Sequence, residues 1–158
     1  MIEVTIDPVK DTRDNLLSRF EKNSSALYKI CVAILKDLSE NSGEDAIIQI
    51  METKYNSIIK NTTEQDRLEN FSVQTKKYIG KILDKDEEFF NKLGSVILDQ
   101  HADNIQKQLG NMGSNVINVL KNMINRISRV DQKVKDKIWT ILINMLKLSM
   151  KYDKVVNQ

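Results

Sequence analysis

A chain of 158 residues with 41% apolar residues and a formal net charge of +2 can bury about two thirds of its unfolded surface in one domain. Its single cysteine, Cys31, excludes an intrachain disulfide and gives no sign of an oxidising compartment. The charge is uneven: residues 1–100 hold 14 Lys/Arg against 18 Asp/Glu and residues 101–158 hold 10 against 4. The resulting −4 and +6 suit either a nucleic-acid surface or mutual attraction of the two halves in a folded domain or oligomer, and the second is preferred.

At the N-terminus, Ile2, Val4 and Ile6 alternate with Glu3, Thr5 and Asp7 before the only proline, Pro8. This period of two predicts a short extended arm over residues 1–8 that lies on the bundle, pairs with another chain or hangs free. The free arm is preferred to strand pairing. The segment lacks the basic start and apolar run of a secretory leader, so the chain reads as intracellular and cytoplasmic. On that reading, the sequons at Asn23, Asn61 and Asn70 are chance matches.

From Val9 the period becomes helical, and residues 9–158 read as one bundle domain of five to seven helices. Leu16, Leu17, Phe20, Leu27, Ile30, Ile34, Leu35 and Leu38 recur at threes and fours, with a break expected at Asn23-Ser24-Ser25. Ser42-Gly43-Glu44-Asp45 gives a stop and a new start, leading to Ile47, Ile50, Met51, Tyr55, Ile58 and Ile59. Thr63 caps a third helix whose first turn holds Asp66; Leu68, Phe71, Val73, Tyr78, Ile79, Ile82 and Leu83 follow at imperfect spacing.

Asp84 to Glu88 forms an acidic entry to a fourth helix, with Phe89, Phe90, Leu93, Val96, Ile97, Ile105 and Leu109 expected to face inward. Gly110 to Ser114 is the clearest punctuation, and Ser114 caps a helix bearing Val116, Ile117, Leu120, Ile124 and Ile127. Asp131 opens the last helix. There Val134, Ile138, Ile141, Leu142, Met145, Leu148 and Tyr152 form one stripe, and Trp139, Ile143, Leu146 and Met150 a second. Ile138–Met150 is apolar nearly all round yet shorter than the roughly 20 residues a bilayer span needs. It is therefore placed at the centre of an all-α bundle, with no membrane span.

Catalytic and cofactor signatures are missing. His101 is the only histidine, and a zinc site from His101 and Cys31 would need two carboxylates, whereas structural zinc prefers richer Cys/His sets. Cys31 sits in an apolar run and reads as a small buried hydrophobe rather than a nucleophile. Glu87 and Glu88 diverge around a helix, and Gly110-Asn111-Met112-Gly113 lacks the ending of a phosphate loop. No enzyme, metal or cofactor is expected.

Two surface signals remain. Lys121, Arg126, Arg129, Lys133, Lys135 and Lys137 crowd a helix junction and form the candidate nucleic-acid contact, although Asp131 and Asp136 interrupt the region and no aromatic is interleaved for stacking. Trp139, Ile143, Leu146 and Met150 form the candidate partner interface, facing outward if the other helices cover only one side of the last one. The preferred reading is a non-enzymatic structural or protein-interaction component acting through helix packing and oligomerisation, its partner being itself or another protein. A basic nucleic-acid-associated protein, and a bundle whose hydrophobic groove takes a partner helix, are the alternatives.

Ile and Lys supply 19 residues each, Asn 15 and Ala only four, a preference for residues with A/T-rich codons. The segment Asp131-Gln-Lys-Val-Lys-Asp-Lys-Ile138-Trp139-Thr-Ile-Leu-Ile-Asn-Met-Leu resembles the C-terminal helix of uncharacterised helical proteins from large nucleocytoplasmic DNA viruses. In those, basic residues precede an Ile-Trp pair and a Leu-rich helix; here Thr140-Ile141 departs from the pattern after the tryptophan. The resemblance spans about 25 of 158 residues. It implies a viral, virion-associated protein and brings no activity or site residues.

Overall fold

Thr12 starts the first helix: its backbone is extended (φ −73°, ψ 156°) and its hydroxyl accepts from the Asn15 N–H at 3.3 Å. The computed structural model describes residues 3–39, 42–109, 118, 120–122, 124–126 and 128–157. Helix α1 spans Arg13–Leu38 without interruption, so the expected break at Asn23-Ser24-Ser25 does not occur. The Asn23 side-chain amide donates to the Arg19 carbonyl at 2.9 Å, bonding back to its own helix instead of capping a new one. Apolar phase also continues through the polar triplet, since Leu16, Phe20, Leu27 and Ile34 follow at steps of four and seven.

Helix α2 spans Ser42–Asn61 and α3 spans Glu64–Thr75. The start of α3 is the expected one, because Thr63 accepts from the Asp66 N–H at 3.1 Å while the Asp66 carboxylate accepts from the Thr63 N–H at 3.0 Å. A 3-10 turn over Lys76–Tyr78 leads into α4, Ile79–Leu83. Asp86 then caps α5, Glu87–Gln100, after a left-handed Lys85 at φ 52°. Helix α6 covers Ala102–Leu109, and residues 118, 120–122 and 124–126 are helical. The Gly110–Ser114 punctuation and the side chains of Ile105 and Leu109 lie outside the described residues, as do Val116, Ile117 and Ile127. Asp131 opens α7, Gln132–Val156, accepting from the Lys133 N–H at 3.0 Å.

The fold is all-α, and α7 is its centre: it packs along α1 and also meets α3 and α4. Leu16, Leu17 and Phe20 of α1, Leu68 of α3 and Ile141, Met145, Leu148 and Tyr152 of α7 form the main core. A smaller cluster joins Val32 and Leu35 of α1 to Ile48 of α2, so the two ends of α1 serve different neighbours. Four apolar residues of the predicted helical patterns are exposed instead: Ile58 at 52%, Val73 at 70%, Val96 at 48% and Ile97 at 42%. For Val73 the reason is angular, since it lies five residues from fully buried Leu68 and so about 140° round the helix.

The N-terminal segment is docked rather than free. Val4 is buried, its carbonyl accepts from Lys154 Nζ at 2.8 Å, and the Asp7 carbonyl accepts from the Asp11 N–H at 2.8 Å. Residues 3–7 are neither helix nor strand. Tyr152 is a further marker of the core, because its hydroxyl is buried with no hydrogen-bond partner among the described residues. Its oxygen loses water without compensation, so Tyr152→Phe is expected to leave stability unchanged or raise it by about 1 kcal/mol. Chemical denaturation checks this, and a loss of that size would show that the hydroxyl is bonded.

Candidate functional site

The acidic and basic parts of the chain meet as ion pairs. Lys121 pairs with Asp99 of α5, and Arg126 with Glu44 in the first turn of α2, where the two side chains are 14% and 5% exposed. Lys135 Nζ lies 3.0 Å from the Glu87 carboxylate and donates to the Ser128 carbonyl at 2.6 Å. Each pair sets a cation of residues 101–158 against a carboxylate of residues 1–100. Half of the candidate nucleic-acid set is thereby neutralised by the chain itself. Arg129, Lys133 and Lys137 are exposed and have no acidic partner among the described residues.

The second stripe of α7 divides. Trp139 is half-buried, with its ring 5.9 Å from Phe90, and Phe90 belongs to an edge-packed group with Tyr78 and Phe89 at 5.2–6.1 Å between centroids. The expected anchor is thus partly covered by α5. Ile143 is half-buried, and Leu146 is only 2% exposed.

Leu146 and half-buried Met150 nevertheless share a groove of about 520 Å³ between α3–α4 and α7. Tyr152 and Ile79 also line it, together with Val73 at 70% and Val156 at 45% exposure. Its lining includes acids and a base, Glu69, Asp153 and Lys76, and Ser72 Oγ donates to the Asp153 carboxylate at 3.2 Å. Sequence reasoning found Leu146 and Met150 on the α7 side of this groove but listed Val73 only within the imperfect apolar pattern of the third helix.

One polar centre was missed altogether. Asp11, 3% exposed, accepts from the Asp7 N–H at 2.8 Å, from Arg19 Nη1 at 2.8 Å and from Lys151 Nζ at 3.0 Å. The backbone bond from Asp7, then the Arg19 guanidinium and Lys151, hold its carboxyl well below the usual carboxylate range, outweighing the opposing effect of burial. Arg19 lies eight residues from Asp11 and Lys151 140 residues away, so no local motif marks the site.

Cys31 is half-buried in α1, and burial pushes its thiol up, away from the thiolate a nucleophile needs. His101 is exposed where α5 ends. Among the described residues no cluster of three or more His, Cys, Asp or Glu is placed to hold a metal ion, and no helix is long and apolar enough to cross a membrane. Comparison with protein-family models, with curated proteins and with solved structures finds no match.

Proposed function

We propose that the protein is a non-enzymatic helical component that assembles with copies of itself through the groove between α3–α4 and α7. The observation carrying this reading is that exposed Val73 and Val156 line the same groove as Leu146 and Met150. Single exposed valines are ordinary, but apolar side chains gathered in one concave face favour a contact that excludes water. A second copy suits the groove because its charges are self-complementary. In a two-fold contact, Lys76 of each chain can face Asp153 or Glu69 of the other.

The setting we infer is a viral assembly, on the A/T-biased composition and the likeness of Asp131–Leu146 to helices of large DNA viruses. The nucleic-acid reading is weaker, because three of its six cations are occupied by the chain's own carboxylates.

Light scattering coupled to size exclusion tests the assembly. The wild-type chain is expected at a multiple of 18.2 kDa in both low and high salt, and Val73→Glu/Val156→Glu at 18.2 kDa. Both positions are exposed, so the double variant should fold. A wild-type monomer, or a variant with unchanged mass, sinks the reading; an assembly that forms only with an added amphipathic helix would reassign the groove to a different partner.

A further inference from the structure

We propose that the cleft between α1 and α7 is a binding site for a phosphate-bearing anion, a property separate from self-association. The cleft holds about 390 Å³ and is lined by Arg19, Lys22 and Asn23 from α1 and by Asn144, Lys147 and Lys151, over Leu148, from α7. Its volume lies in the range of small-ligand pockets, about 300–1,000 Å³. The polar residues recur at threes and fours on each helix, which puts them on one stripe of α1 and one stripe of α7. Packing of the two helices brings the stripes face to face.

Charge decides what this cleft can hold. Its lining contains four cations and no carboxylate. Asp11, bonded to Arg19 and Lys151, offsets one of them, leaving a formal +3. Lys121, Arg126 and Lys135 each find a carboxylate, whereas Lys22 and Lys147 have no ion-pair partner among the described residues. Converging like charges that Asp11 offsets only in part raise the free energy of the empty fold, and an anion relieves that cost.

The geometry also favours phosphate over a single carboxylate. Asp11 bonds one guanidinium nitrogen of Arg19, Nη1, and the fork's other N–H groups have no partner among the described residues. A forked donor, two free ammonium groups and the Asn144 amide match an oxyanion with several acceptors on more than one side. Because the Asp11 bonds already hold Arg19 and Lys151, part of the ordering cost is met before the ligand arrives. Asn23 is likewise fixed by its bond to the Arg19 carbonyl.

Inorganic tripolyphosphate titrated into the full chain by calorimetry is the test. Saturable one-to-one binding is expected, together with a higher melting temperature, since the ligand binds the folded chain alone. Lys22→Gln/Lys147→Gln removes two cations without touching Asp11 and should weaken binding by about tenfold or more. Lys133→Gln/Lys137→Gln removes the same charge from exposed positions on α7 and should leave it unchanged.

Absence of saturable binding, or equal weakening by the two double variants, overturns the site. Phosphatidylcholine vesicles carrying phosphatidylinositol bisphosphate identify the source of the phosphate. Sedimentation with the vesicles, lost in the Lys22/Lys147 variant, assigns a lipid headgroup; tripolyphosphate binding without sedimentation assigns a free anion. Duplex DNA bound more tightly than tripolyphosphate, and dependent on Lys22 and Lys147, would overturn the small-anion assignment.

Discussion

Replacing Asp11 with alanine is expected to cost about 2–3 kcal/mol of stability. The substitution removes the acceptor shared by the Asp7 N–H, Arg19 and Lys151 and leaves two cations facing each other across the α1–α7 seam. Breaking a buried ionic pair ordinarily costs about 3–5 kcal/mol. The lower figure applies because the Arg19 and Lys151 side chains are 39% and 22% exposed and keep part of their hydration. Urea unfolding of the two proteins measures the difference, and a loss below about 0.5 kcal/mol would place Asp11 with ordinary surface acids.

The same residue gives that difference a pH signature. The folded chain holds the Asp11 carboxyl below its unfolded value, so the ionised form is the stabilising one. The contribution is complete above the unfolded carboxylate value of about 3.9 and is lost as pH falls from there towards the depressed native value. The gap between wild type and Asp11→Ala should therefore be constant through neutral pH and shrink below about pH 4. A gap that persists unchanged into acid would mean that the lost packing, not the charge, is responsible.

Leu68→Ala is expected to lose about 2–5 kcal/mol, the range for truncating a fully enclosed leucine and leaving a cavity. Leu68 is fully buried and packs against the cluster of Leu16, Leu17, Phe20, Ile141, Met145, Leu148 and Tyr152, drawn from α1 and α7. Gln74→Ala, in the same helix, is the control: exposed and outside the groove between α3–α4 and α7, it should change stability by less than about 0.5 kcal/mol. Similar losses at the two positions would contradict the orientation of α3. Denaturant midpoints of the paired variants settle the comparison.

The elements were legible where the signal was local. Thr63 and Asp66, three residues apart, announce the start of α3, and the Ser42 start and the Asp131 cap fall where the polar residues place them. The apolar length of α7 likewise announced its central position. Asn23-Ser24-Ser25 misled because those residues cap helices as readily as they tolerate helix interiors, and the choice is made by Leu27 and Ile34 continuing the phase.

Val96 and Ile97 show a different limit: period identifies an apolar face but not whether a neighbour reaches it. The polar sites were the least legible. Asp11 meets Lys151 only through packing of α1 on α7, and the stripe of Arg19, Lys22 and Asn23 gains its meaning from the stripe opposite. The basic cluster at Lys121–Lys137 was conspicuous in the sequence because of its density. Its pairing with Asp99, Glu44 and Glu87 depends on tertiary proximity that density does not encode.

The docking of α7 along α1 also governs how the chain is made. Leu16, Leu17 and Phe20 leave the ribosome long before their principal apolar partners, Ile141 to Tyr152; the bonds from Val4 to Lys154 and from Asp11 to Lys151 span 150 and 140 residues. Helices α1 to α6 must emerge with the α7-facing side of α1 uncovered, which invites chaperones or premature association. Closing so long a loop is also an entropic burden that local helix formation cannot relieve. The architecture ties completion of the main core to the emergence of α7, however early α1 is made.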